Sequence, residues 1–460
     1  MRVKIFNIFI LYVVFCVIVA TFFFCPSELA QDKQTCYYVL CLQLLIIWML
    51  NVYLINKNGF DIIEPIGLFS LIHILMFEVT PLICLWKNEI EWFGLDLWGG
   101  CIKGTCLSTL CYMCVLFSYY RSGWHWVDTD VDINEGDNIV NENVCLYLNI
   151  LIWLITFGAS VFLFLRSGLS LSYMLTLGAN GSFDIEGSSS GLEFLSTIAY
   201  GMIPAYLYIF SLSRSRFIKI ITFYLMAISF MARGFRFILV AVMISPFILV
   251  YLRKQKRPKL WQIFTIGLVL LLMIGFVGNV RNDIRSGNGI SGFSSQTMSV
   301  DIILDMVLDN FSIVKTFYGI VEKIPTSLGY TLGNQMILYS CIMLIPRLIW
   351  PQKPQPATRS VISTAISPYA SSAGTAYPYV GEYYHEFGVL GVVVFGFILG
   401  KMLAYLKRFM YKTDIHSQIM YASLFPLILQ ILIRGYTPSN VYLVIFVALP
   451  IIISKHMTLG

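Results

Sequence analysis

Apolar runs recur along this chain at about the 17 to 25 residues that carry one helix across a hydrocarbon layer roughly 30 Å thick, and that recurrence limits the fold more than any motif does. In windows of about 19 residues they fall near 5–25, 37–55, 62–86, 97–119, 144–165, 192–212, 218–232, 237–252, 260–280, 383–406, 417–433 and 440–454. No single soluble core could bury them all. Hydrophobic residues make up 58% of the chain and charged residues 12%, against about a quarter charged in soluble domains. The pattern predicts an all-α polytopic membrane protein of about twelve transmembrane helices, with both termini on the inner side.

Lysine and arginine mark that inner side. Arg2 and Lys4 precede the first run, Arg214, Arg216, Lys219 and the cluster Arg253 to Lys259 bracket the 218–252 pair, and Lys407, Arg408 and Lys412 follow 383–406. The short outer loops after the first, third and fifth runs carry one basic residue each, Lys33, Lys87 and Arg166. The acidic stretch 120–143 also falls inside, and acidic residues weigh little on orientation. A net charge of +6 is thus accounted for at span edges and excludes nucleic acid as a partner. The first run is too long for a signal peptide and has no small-x-small cleavage site, so it is expected to remain as a span. Eleven cysteines, mostly within apolar runs, read as small hydrophobes, including Cys111-x-x-Cys114.

Three regions follow: a bundle over 1–280 holding nine spans, a large outer loop over 281–382, and three further spans over 383–460. Within the loop, Ile302 to Ile320 is amphipathic and Met336 to Leu344 apolar, while Pro346, Pro351, Pro354 and Pro356 break the pattern. Short helices on the outer membrane surface are expected there, with an ordered loop dipping toward the bundle.

Arg233-Gly234-Phe235-Arg236 joins two runs that are each short for a bilayer crossing, which draws the turn toward membrane depth. A charge there marks a candidate functional site, and a bound anion would offset its cost. Arg281, Arg285, Arg347, Arg359 and Arg434 fall on the same outer side. Guanidinium groups match phosphate oxygens in a fixed planar fork and keep their charge when partly desolvated.

A second cluster, Glu382, His385 and Glu386, stands at the outer mouth of the 383–406 run, where helical spacing puts the three on one face. Partial desolvation would raise the carboxylates toward general-base range. Glu-x-x-His occurs in di-iron bundles, but those need a second copy and further glutamates, which this chain lacks, so no metal site is read. Asp128, Asp130 and Asp132 read as a solvated loop, because Ile133 and Ile139 stand where a calcium loop needs glycine and glutamate. Gly100/Gly104 and Gly396/Gly400 read as helix contacts, and His73 and Glu78 as buried polar groups.

Three stretches, ARGFRFILVA at 232–241, IPRLIWPQKP at 345–354 and GEYYHEFGVLGVVVFGFILG at 381–400, resemble the Wzy-type O-antigen polymerases, which join the oligosaccharide repeat units of bacterial surface polysaccharide. The resemblance covers the C-terminal half by motif and the whole chain by span number and loop placement. It implies a GT-C-like membrane glycosyltransferase in the bacterial inner membrane, its active site facing the periplasm, with no cofactor and no metal. Donor and acceptor would both be undecaprenyl-diphosphate-linked oligosaccharides, and a chain-length regulator protein would share the membrane. On that reading Arg233 and Arg236 meet the leaving diphosphate, and Arg281, Arg285 and Arg434 help or clamp the second lipid. Glu382 or His385, with Glu386 beside them, orients or deprotonates the acceptor hydroxyl.

Other classes fit the same spans. A lipid-linked oligosaccharide flippase would suit outward arginines, but such transporters show related halves and the segment 281–382 is lopsided. A membrane acyltransferase would want a His/Arg pair early in the chain, where the first 72 residues hold no histidine and only Arg2. An O-antigen ligase would differ mainly in its acceptor.

Overall fold

The computed structural model describes residues 33–58, 63–87, 91–92, 94–123, 141–167, 197–232, 236–254, 311, 313–343, 345, 349–353 and 376–458. In chain order the helices are α1 (Lys33–Asn58), α2 (Pro65–Ile74) running through a π turn (Leu75–Val79) into α3 (Thr80–Lys87), α4 (Trp98–Gly123), and α5 (Glu142–Ser167). A 3-10 turn (Ala199–Gly201) leads into α6 (Met202–Leu212), followed by α7 (Arg216–Ala232), α8 (Arg236–Lys254) and α9 (Ile313–Lys323). A second π turn (Asn334–Leu338) leads into α10 (Tyr339–Met343), and α11 (Tyr379–Tyr411), α12 (Ile415–Leu424), α13 (Leu427–Arg434) and α14 (Thr437–Thr458) complete the order. Strands β1 (Glu91–Trp92) and β2 (Leu95–Asp96) pair antiparallel, with Glu91 opposite Asp96.

Every expected span that falls on described residues is helical, and the runs at 5–25 and 260–280 lie outside them. Among the described residues, six stretches are long and apolar enough to cross a membrane: Pro65–Lys87, Trp98–Ser122, Glu142–Leu165, Tyr379–Tyr411, Ile415–Arg434 and Thr437–Thr458. The chain is therefore an all-α, multi-pass membrane protein. Its outer faces agree: α5 buries Asn149, which donates to Ser454 Oγ at 2.9 Å, while Tyr147, Leu151, Ile155 and Leu165 stand exposed. A face of large apolar side chains suits lipid and not water. Local signals start several helices: Pro65 opens α2, and Asp414 caps α12 by accepting the Ser417 N–H at 2.9 Å.

The most completely buried of the six stretches is α4. Its glycines work as expected. A Cβ at Gly104 would press on the rings of Tyr318 and Phe317, and one at Gly100 on the Tyr318 carbonyl, so α9 packs closely against the first turns of α4. On the opposite element, Gly396 faces Cys111 and Cys114, and Gly400 faces Val115 and Ser118. Both sets of numbers rise together, so α4 and α11 run parallel, and Ser118 Oγ donates to the Phe397 carbonyl at 2.7 Å. Cys111 and Cys114 are unbridged, buried packing residues.

The helix α9 differs from the expected surface helix. Phe317, Tyr318 and Ile320 are all buried, and Phe317 also packs on Gly381 of α11, so this part of the 281–382 segment is wedged between α4 and α11. Glu322 sits at the far end of the wedge, accepting the Gly100 N–H at 3.3 Å where the dipole of α4 is positive.

Candidate active site

The helix α11 starts at Tyr379, ahead of the expected 383, so Glu382, His385 and Glu386 all lie in its first two turns. All three are buried, at 3%, 2% and 1% exposure. The helix then breaks: Phe387 has φ −136° and ψ 19°, and Gly388 has φ 63° and ψ −144°, a conformation closed to side chains with a Cβ.

A break frees backbone carbonyls, which cannot be left bare inside a membrane protein. The loop before α10 supplies the donors. Thr331 N–H donates to the His385 carbonyl at 3.1 Å and Leu332 N–H to the Glu386 carbonyl at 2.9 Å. The Glu386 carboxylate answers in the other direction, accepting Gly333 N–H at 2.7 Å and Met336 N–H at 2.8 Å. Gly333, at φ 85°, turns the chain so that these amides open the π turn toward the carboxylate.

Glu382 is held by a different element. Its Oε1 accepts the Thr437 N–H at 2.6 Å and its Oε2 the Thr437 hydroxyl at 2.9 Å, so it caps the first turn of α14. The expected convergence of two carboxylates and an imidazole is therefore corrected. The face is shared, but each carboxylate satisfies the orphan amides of a separate segment. The His385 ring lies 6.3 Å from that of Tyr377, and its Nδ1 is buried with no hydrogen-bond partner among the described residues.

Arg434 is brought to this corner by chain geometry. It ends α13 three residues before Thr437, and the intervening turn places Gly435 (φ 49°) and Tyr436 (φ 57°) in left-handed conformations, with Asn440 Nδ2 donating to the Gly435 carbonyl at 2.6 Å. Arg236 opens α8, which packs against α12 and α13; its side chain is outside the description. Arg233, Arg281, Arg285, Arg347 and Arg359 lie outside the described residues, as does the stretch 128–132.

Sequence reading missed Thr437, Gly333 and Met336. The run Thr437-Pro438-Ser439-Asn440 is a helix-start signal that could have found the first. It also missed the inner support of the corner: Tyr379 OH lies 2.9 Å from His73 Nδ1, so the first residue of α11 is tied to α2. In the IPRLIWPQKP block, Lys353 Nζ donates to the Met343 and Ile345 carbonyls at 3.1 and 3.2 Å, closing the end of α10.

A groove of about 1390 Å3 runs from this corner between α4, α11 and α14, with Tyr379, Glu382 and Thr437 at one end and mostly apolar lining beyond. Neither Glu386 nor His385 lines it. Among the described residues no group of three or more histidine, cysteine, aspartate or glutamate side chains is arranged to hold a metal ion.

Apolar spans around a buried polar corner that opens on a long groove define a multi-pass membrane protein. The particular assignment comes from sequence: the family O-antigen polysaccharide polymerase Wzy matches residues 5–460, and the chain belongs to that family. Membership makes it a glycosyltransferase-type polymerase of O-antigen polysaccharide. No curated relative and no solved structure matches the chain.

Proposed function

We propose that the protein joins lipid-linked oligosaccharide repeat units at the Glu382 corner, on the periplasmic face of the bacterial inner membrane. The carbon to oxygen bond between the donor sugar and its undecaprenyl diphosphate breaks, and a bond from that carbon to an acceptor hydroxyl forms. The hydroxyl proton passes to Glu382 or to His385, and the leaving diphosphate carries away the electron pair. Arginine stabilises the charge that builds on it, with Arg233 and Arg236 as the candidates and Arg281, Arg285 and Arg434 as helpers or as a clamp for the second lipid. Positioning and charge carry the reaction without a metal.

One observation carries this reading: Glu382 is the carboxylate of the cluster that lines the groove, and its two bonds to Thr437 fix its orientation. A fixed acceptor within reach of a hydroxyl typically contributes about 100- to 10,000-fold. Glu386, sequestered by backbone amides, is a positioning residue that holds the break in α11. Parallel packing of α4 and α11 fits a twelve-span, GT-C-like topology in which the fourth and tenth spans cross in the same direction. A chain-length regulator in the same membrane is the expected protein partner.

The test is purified protein in detergent with a lipid-diphosphate repeat unit and a chelator. A ladder of polymer that disappears in Glu382→Gln supports the reading. Unchanged substrate, with transport of the same lipid in vesicles, would favour a flippase.

A further inference from the structure

The groove that starts at Glu382 ends among cations. Arg121 of α4 and Lys401 and Arg408 of α11 line its far end. Parallel contact of the two helices at Gly400 and Ser118 sets them there, since Arg121 lies one turn beyond Ser118 and Lys401 directly follows Gly400. Arg121 and Lys401 are both exposed, and among the described residues neither makes an ion pair. The guanidinium of Arg121 stands 6.0 Å from the Phe117 ring. Lys407 makes a useful contrast: it is tied to Glu64 at 2.9 Å and does not line the groove. Ile398, Met402, Tyr405 and Ile445 also line the groove and are exposed, so it opens toward lipid.

Cations at the mouth of an apolar trough match an amphiphile with an anionic head. We propose that this end of the groove binds an anionic phospholipid, its phosphate on Arg121 and Lys401 and its acyl chains laid between α11 and α14. Basic pockets between membrane helices suit acidic head groups, with charge attraction acting within a Debye length. A soluble anion would leave the trough unmatched, and a zwitterionic head would bring its own cation against two others. The bound chains would run toward Glu382, so the lipid would border the catalytic corner. The proposal rests on the cations and the groove and not on the reaction.

The full chain, incorporated in nanodiscs of phosphatidylcholine alone or mixed with phosphatidylglycerol, provides the test, with retained lipid read by mass spectrometry of the intact protein. Wild-type protein should retain phosphatidylglycerol preferentially, and Arg121→Gln with Lys401→Gln should lower that preference roughly 5- to 30-fold. Inorganic phosphate should not compete. Equal retention of the two lipids, an unchanged preference in the double variant, or full competition by inorganic phosphate overturns the proposal. So does a preference that appears only after Asp128, Asp130 and Asp132 are neutralised, which would make the chain's own acidic stretch the occupant. If the double variant does not fold, wild-type protein decides alone: a preference that persists as ionic strength rises overturns the assignment.

Discussion

Glu386 and Gly333 meet at 2.7 Å across 53 residues of chain, at the point where α11 breaks. The contact joins two local anomalies, a glycine at φ 85° and a helix that stops one residue after the carboxylate. Each needs the other. The turn at Gly333 leaves amide donors unpaired, and the break leaves carbonyl acceptors unpaired, so the two segments complete one another's hydrogen bonding.

The two carboxylates of the cluster should respond differently to the same substitution. Glu386 accepts a bond from the Thr331 side chain, but each of its two oxygens also accepts a fixed backbone N–H, Met336 on Oε1 and Gly333 on Oε2, so Glu386→Gln sets an amide NH2 against one of those N–H groups and leaves a buried donor unsatisfied, costing about 1 to 3 kcal/mol. At Thr437, Glu382 instead has one N–H on Oε1 and one hydroxyl on Oε2, and a hydroxyl can turn from donor to acceptor. Glu382→Gln should therefore keep the thermal stability of the detergent-purified protein close to wild type while losing about 100- to 10,000-fold in polymerisation. Equal loss of stability in the two variants would sink this distinction.

Gly388→Ala should destabilise by about 1 to 3 kcal/mol, because φ 63° and ψ −144° is a glycine conformation and a Cβ there would also lie 3.1 Å from Tyr330 Cε1. The check is the melting temperature in detergent. A variant that melts like wild type would mean that the break can heal into a continuous helix.

The glycines of the span contacts give a paired comparison. Gly400→Ala drives a Cβ into the Val115 carbonyl and the Ser118 side chain, whereas Gly158→Ala on α5 meets nothing within 4 Å. The first should lower the melting temperature and loosen α4 from α11. The second should be neutral or stabilising, by up to about 1 kcal/mol from helix propensity. A Gly400→Ala variant that melts at or above wild type, or a Gly158→Ala variant that melts clearly below it, would contradict the packing described.

The spans could be read because lipid demands an apolar run of fixed length, and 62–86, 97–119 and 383–406 all fall on helices. Span ends were read short: α11 starts at Tyr379 and α14 at Thr437, since capping residues are polar or small and fall outside a hydropathy window. The shared face of Glu382, His385 and Glu386 was legible from helical spacing. Their partners were not, because Thr437 lies 55 residues from Glu382 and Gly333 lies 53 from Glu386, and no local pattern encodes contacts at that distance.

Stability should carry a pH dependence from Glu322. Burial raises its carboxyl above the ordinary value of 4.5, an effect partly offset by the Gly100 N–H. A raised folded-state pKa means that the native protein binds this proton more tightly than the unfolded chain. The stabilising contribution is then complete below pH 4.5 and is lost as pH rises through the raised value. In Glu322→Gln, which keeps an oxygen for Gly100, this part of the decline should vanish from the melting temperature measured against pH. An identical slope in variant and wild type would assign the decline to other groups.

Arginine at the tip of the α7–α8 pair should matter to turnover more than to folding. Arg236 opens α8; in the proposed twelve-span topology it stands at the outer end of two short spans, where its charge is costly unless an anion meets it. Arg236→Ala should shorten or abolish the polysaccharide ladder, consistent with a loss of roughly 100- to 1,000-fold when one donor to a developing anion is removed. Arg236→Lys keeps the charge but not the bidentate fork, and should fall between the two. Membrane levels of each variant, measured alongside the ladder, separate chemistry from folding. If Arg236→Ala and Arg233→Lys both leave a full-length ladder at normal protein levels, the leaving diphosphate is stabilised elsewhere.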